Sequence, residues 1–225
     1  MIANKRGSES GVAGIEWAQR TLDANNTGSI DFATTAEPGS ETYYLKKTWG
    51  ICRLAHRSQL SETGSMTAED CARQLLIVGH VPSDNTRRLR DAVAEAARGA
   101  IEGDSVRVVV LSPFETRPAH VLAADAVILG TTENLGYMSG ALKDFFDRCY
   151  YPCLDHTQGL PYCLYIRAGH DGTGARRGVE TIVTGLRWRA VQKPVICRGA
   201  WNEAFVDRVA EIGAAMAAGL EAGIF

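Results

Sequence analysis

Apolar and polar positions change their pattern near residue 66. Upstream, turn-forming pieces such as Asn25-Asn26-Thr27-Gly28-Ser29 and Glu37-Pro38-Gly39-Ser40 separate short apolar patches at Ile15–Leu22 and Tyr43–Leu54, and neither a period of 2 nor one of 3.6 is sustained. From Gln74 onward, β-branched apolar runs alternate with segments of helical period, as a βα repeat requires. The pattern predicts strands over Gln74–His80, Ser105–Leu111, Asp125–Thr131, Leu160–Arg167 and Lys193–Arg198. Val106–Leu111, interrupted only by Arg107, and Ala126–Leu129 read as apolar runs, which predicts burial on both faces of a parallel sheet. Helices are predicted over 85–101, with Leu89, Ala92, Val93, Ala96, Ala97 and Ile101 on one stripe, and over 139–152, with Ser139 as N-cap ahead of Leu142, Phe145, Phe146 and Cys149. Two more follow over 173–188 and 202–220, and Ser112–Ala124 has room for a short helix only.

Five strands interleaved with helices form an α/β domain, and right-handed crossovers make it a doubly wound parallel sheet with helices on both faces. The domain is expected over residues 71–225. Residues 1–70 are expected to be an N-terminal extension, poorly structured or not native, with Met66 as an alternative start. In such a sheet ligands bind beyond the carboxyl ends of the strands, so function is sought just after residues 80, 131 and 167.

Composition narrows the classes. With 24 Lys and Arg against 26 Asp and Glu, the net charge of −2 offers no basic excess for nucleic acid. No run approaches the ~18 apolar residues of a membrane span. The first residues lack the apolar core of a secretory signal, and a cytoplasmic location is expected. The six cysteines include no CxxC pair and the five histidines are scattered, so neither a disulfide framework nor a metal site is expected; the cysteines are expected to be reduced and mostly buried.

Three loops carry the candidate chemistry. The first, Gly79-His80-Val81-Pro82-Ser83-Asp84-Asn85-Thr86, sets hydroxyl and amide side chains at a helix start, which suits either an anion such as a phosphate or plain N-capping. Dinucleotide and P-loop glycine fingerprints are absent. The second, Gly130 to Gly140, places polar residues and glycine at the end of a buried strand, where backbone amides can read the edge of a planar ligand and Leu135 or Tyr137 can cover its face. The third, Arg167 to Gly178, has glycines that would let a ligand approach the backbone. His170 and Asp171 read as a solvated turn rather than a catalytic dyad, since no nucleophile stands beside them, while Arg176 and Arg177 are either surface cations or a phosphate contact.

Residues 124–148, ADAVILGTTENLGYMSGALKDFFDR, resemble at many fixed offsets the third strand, isoalloxazine loop and following helix of the NAD(P)H-dependent FMN reductases and flavodoxin-type quinone reductases. Gly79, Ser83, Asn85 and Thr86 are similar to that family's phosphate loop, and the resemblance covers about residues 74–222. It implies a flavodoxin-like, five-stranded parallel sheet of order 2-1-3-4-5. It also implies FMN as cofactor, NAD(P)H as co-substrate, and a quinone or flavin as small-molecule acceptor, in a homodimer or homotetramer. By position, Ser83, Asn85 and Thr86 would hold the FMN phosphate. Glu133, Asn134, Leu135 and Gly136 would line the isoalloxazine, with Arg167, Ala168, Gly169 and His170 on its other side. His80, Thr131, Thr132, Asp171 and Gly172 complete the implied set. No residue is assigned as catalytic, because the flavin carries the chemistry. His80 and Thr132 stand where the family has a small hydroxyl residue and proline, and Asp84 adds a charge beside the phosphate loop. The alternatives are a flavodoxin-type electron carrier and a flavin-free binding module of the same fold.

Overall fold

A computed structural model of the chain describes residues 72–225. The extension expected over residues 1–70, Met66 included, lies outside the described residues. The elements run β1 (Arg73–Gly79), α1 (Asp84–Gly99), β2 (Val106–Leu111), α2 (Pro118–Ala123), β3 (Ala126–Asn134), β4 (Tyr137–Met138), α3 (Gly140–Cys153), β5 (Pro161–Ala168), α4 (Thr173–Gly185), β6 (Arg189–Ala190), β7 (Val195–Arg198) and α5 (Ala204–Glu221).

β2, β1, β3 and β5 lie side by side and parallel, with Ile77 opposite both Val110 and Ile128, and Leu129 opposite Leu164. β6 and β7 both pair with β5 in parallel, at Pro161–Tyr162 and at Tyr165–Ala168. They are the two halves of one edge strand, interrupted by Lys193-Pro194, where the proline has no N–H to give the ladder. Counted so, the parallel strands stand in the expected order 2-1-3-4-5. The expected single last strand is corrected to two pieces. The third strand is also longer than expected, running to Asn134 and turning back antiparallel into β4.

Alternate residues of each strand enter opposite cores, as period 2 dictates. Leu75, Ile77, Ala126 and Ile128 face α1 and α5, packing with Leu89, Val93, Val209, Ile212 and Met216. Leu76, Val78, Val127 and Leu129 face α2, α3 and α4, packing with Val121, Leu142, Phe145, Phe146 and Val179. The helical stripes therefore bury as their spacing predicts. α1 and α5 come close at Gly213, where an added Cβ would meet the Val93 carbonyl. No helix among the described residues is long and apolar enough to cross a membrane.

Cys149, Cys153, Cys163 and Cys197 are free and buried. Burial pushes their thiols up, to about 11 for Cys149 and about 12 for Cys153 and Cys163. Thiolate is the reactive form, so at pH 8 these four should resist a thiol reagent. A colorimetric thiol titration of the native chain should then detect no group beyond Cys52 and Cys71, and all six only after denaturation. Since the fold favours the neutral thiols, stability should also decline as the pH rises above about 9.

Candidate functional site

The carboxyl ends of β1, β3 and β5 lie next to one another, and all three loops of interest leave the same edge of the sheet. β1 ends in a glycine, and His80 continues its pairing by donating its N–H to the Gly130 carbonyl at 3.0 Å. Ser83 then caps α1. Its Oγ accepts the Thr86 N–H at 3.4 Å, its own N–H donates to Thr86 Oγ1 at 3.0 Å, and the Thr86 hydroxyl donates to the Ser83 carbonyl at 2.7 Å. This is a capping box closed by threonine, so the hydroxyls of two proposed phosphate ligands already serve the helix. Asn85 and Asp84 are exposed, and the Asp84 carboxylate faces Arg87 at 3.8 Å.

His80 departs from what a small residue would do here. Its Nδ1 is buried with no hydrogen-bond partner, and burial lowers its pKa, which keeps the imidazole neutral at pH 7. Tyr165 Oη is likewise buried without a partner. The Tyr165 ring fills the space that a side chain on Gly130 would need, and its hydroxyl lies 3.3 Å from where a Cβ on Gly79 would stand. Glycine at the end of β1 and in the middle of β3 is what admits the phenol.

The second loop is a tight hairpin. Asn134 pairs with Tyr137 across Leu135-Gly136, whose φ values of 52° and 73° are the positive pair of a type I′ turn. Leucine in that conformation costs about 1–2 kcal/mol. Its side chain is nevertheless fully exposed, at 106%, and Tyr137 beside it is 41% exposed. Thr131 is buried and accepts the Ser139 N–H at 3.1 Å, joining the strand end to the cap of α3, whose Ser139 Oγ accepts the Leu142 N–H at 3.2 Å. The Thr132 hydroxyl donates to Asn134 Oδ1 at 2.7 Å, bracing the turn.

In the third loop the Arg167 guanidinium donates to the carbonyls of Ala168, Cys197 and Gly199 and stacks 5.7 Å over Phe205, so it ties β5 to the segment after β7. Ala168 is buried, while the His170 side chain is 91% exposed. Asp171 accepts the Thr173 N–H at 2.8 Å, and this bond holds its carboxyl below the usual range. Gly172, with φ 74°, is the N-cap of α4. Glu133 reaches across from β3: its Oε2 accepts the His170 N–H at 2.9 Å and its Oε1 the Gly172 N–H at 3.0 Å.

The glycines of this loop serve the hairpin more than an open surface. A Cβ on Gly174 would stand 2.9 Å from the Gly136 carbonyl carbon and closer still to its oxygen, and one on Gly178 would stand 2.5 Å from the Tyr137 ring and 2.9 Å from Met138 Cε. Two glycines four apart thus give α4 a smooth stripe on which the hairpin lies. That spacing is visible in the sequence. Gly169 alone has open space around it. Sequence reasoning missed two further groups. Arg88 of α1 pairs with Glu203 and stacks 5.1 Å over Trp201, whose Nε1–H donates to Glu203 at 2.8 Å. Arg148 of α3 donates to the carbonyls of Thr116 and Pro113, holding the loop that carries the exposed Phe114.

No family model matches the chain. A curated flavodoxin from Aquifex aeolicus (strain VF5) is 29% identical over 113 residues, which span 50% of this chain and 60% of that protein. The match therefore covers less than two thirds of the relative's length. Among solved structures, a flavodoxin from the domain Archaea superposes with a TM-score of 0.57 at 15% identity, covering 66% of this chain and 99% of that one. The flavodoxin WrbA-like protein from Agrobacterium tumefaciens gives 0.54 at 15% identity, covering 67% and 98%. Identities this low speak to the fold, and they agree with the strand order and the helices on both faces: residues 72–225 form a domain of the flavodoxin-like fold.

Proposed function

We propose that the domain binds FMN at the carboxyl edge of its sheet and acts as an NAD(P)H-dependent oxidoreductase, passing electrons through the flavin to a quinone, a flavin or a similar small acceptor. The observation that carries this reading is the Leu135-Gly136 tip: an exposed leucine held in a costly left-handed conformation on the edge where this fold takes its ligands. The residues fit the cofactor at both ends. At α1, the Thr86 amide is taken by Ser83, which leaves the other N-terminal amides and Asn85 for a phosphate, with a neutral His80 alongside. At the hairpin, the exposed Leu135 and Tyr137 would supply apolar cover for a planar ring, and backbone amides of the 134–136 turn would read its polar edge.

Bound flavin would supply the hydride and electron chemistry. The chain's part is to hold the ring and to leave one face open to the nicotinamide and then to the acceptor. An electron carrier would be expected to present a strongly acidic docking face, which a balance of 24 basic and 26 acidic residues does not favour.

The test is reconstitution with FMN, followed by flavin fluorescence, and then NADH or NADPH oxidation with quinone, flavin and dye acceptors. No binding would overturn the reading, and binding without oxidation would make the protein a carrier. Leu135→Asn sharpens it. Asparagine suits the left-handed turn, so stability should hold or rise by up to about 1 kcal/mol, while FMN affinity should fall roughly tenfold as the apolar cover is lost. Unchanged affinity would remove the tip from the site.

A further inference from the structure

Glu133 lies at the end of β3, and its two carboxylate oxygens accept amides thirty-seven and thirty-nine residues away. Those amides belong to the turn that leads into α4, whose N-cap is Gly172, and two N–H groups aimed at one carboxylate form a concave nest for an anion. Such a nest binds anions, and the positive end of the helix strengthens it. Here the anion is a side chain of the same protein. Elsewhere the hairpin lies on α4 at two glycines, the Gly136 carbonyl over Gly174 and the Tyr137 ring over Gly178. They seat the far part of the hairpin on the helix itself, so a link from the hairpin to residues 169–172 must come from elsewhere. Glu133 supplies that link.

We propose that Glu133 is a positioning residue: by filling the nest it sets the width of the mouth between the 133–137 hairpin and the 169–172 loop. This rests on the FMN reading for its effect on ligand affinity. It also assigns Glu133 a different task from the ring contact that family resemblance implies. A carboxylate whose two oxygens each accept a backbone amide is committed to the loop, and those two amides are committed to it.

The experiment compares the full chain with Glu133→Gln and Glu133→Ala by amide exchange followed by NMR, before any flavin is added. In Glu133→Ala the protection of the His170 and Gly172 amides should fall by about tenfold or more, since bonds to a charged acceptor are the stronger ones. In Glu133→Gln, which keeps one acceptor, the fall should be smaller, and amides of β1 and β3 should be unchanged in both. FMN and riboflavin affinities should then fall by a common factor, roughly three- to tenfold in the alanine variant, because a loosened mouth is less often competent while the phosphate end is untouched. Unchanged exchange at His170 and Gly172 would overturn the proposal, as would exchange rising across the whole sheet, which would mark a general loss of stability. Weaker flavin binding with an undisturbed loop would return Glu133 to direct ligand contact. A parent chain that binds no FMN would refute the flavin reading, and the exchange comparison would still decide the latch.

Discussion

A Gly213→Ala variant should be less stable than the parent by about 2–3 kcal/mol, seen as a lower urea midpoint with an unchanged slope. The direction is opposite to what helix propensity alone dictates. In the interior of a helix, alanine is better than glycine by about 1 kcal/mol. On α5, however, the added methyl would overlap the Val93 carbonyl oxygen of α1 and stand 2.9 Å from its carbon. Backbone cannot rotate away as a side chain can, so the two helices must separate. The cost spreads over the face they share, where Leu89, Val93, Val209, Ile212 and Met216 are all fully buried. Gly99→Ala, at the end of α1 with nothing within 4 Å, is the matched control and should be neutral or stabilising. A stabilised Gly213→Ala protein would mean that α1 and α5 do not pack backbone to backbone.

The central strands were legible because burial on both faces leaves one mark, an unbroken apolar run, and β1, β3 and β5 each carry it. The edge was harder. Residues 189–198 form one strand in space, but Lys193-Pro194 breaks the apolar run, so only the second half stood out. The two residues of β4 are too few for any period to register. The predicted helix 173–188 overran α4, which ends at Gly185, because Leu186 continues the stripe of Ala175, Val179 and Val183 in phase, whereas Trp188 does not. Its indole is buried for another reason: after Arg187 turns left-handed at φ 57°, its Nε1–H donates to Thr157 Oγ1 at 2.8 Å.

For the candidate site, topology placed the loops, but the sequence held little about their partners. Arg167 and Glu133 are polar residues at strand ends, which is where ligand contacts are expected. Yet the first is taken up by three carbonyls and the second by two amides, all but one of them thirty or more residues away. No local pattern encodes a partner at that separation. The hydroxyl and amide side chains at the start of α1 left capping open as the plainer of two readings, and Ser83 is indeed the cap, with Thr86 closing its box. The glycine-rich third loop was read as room for a ligand. The part of it inside α4 turns out to be room for the hairpin.

Gly174→Ala should therefore damage the site more than the fold. The methyl would press on the Gly136 carbonyl at the hairpin tip, and relief is available only by lifting the tip off α4, since the helix is anchored by Ala175 and Val179 in the core. Lifting it moves Leu135 and the amides of residues 134–136 together. FMN affinity should then fall by at least about tenfold, while overall stability drops by only about 1–2 kcal/mol, because the displaced segment is short and Leu135 and Tyr137 are already exposed. Gly140→Ala, at the first position of α3 with open space around it, should leave both quantities near the parent's. Paired measurements of flavin fluorescence and urea unfolding on the two variants separate the effects. Parental affinity in Gly174→Ala would show that the seat of the hairpin on α4 does not shape the ligand site. An equal loss in Gly140→Ala would show that any added methyl near α3 and α4 is tolerated poorly, whatever it meets.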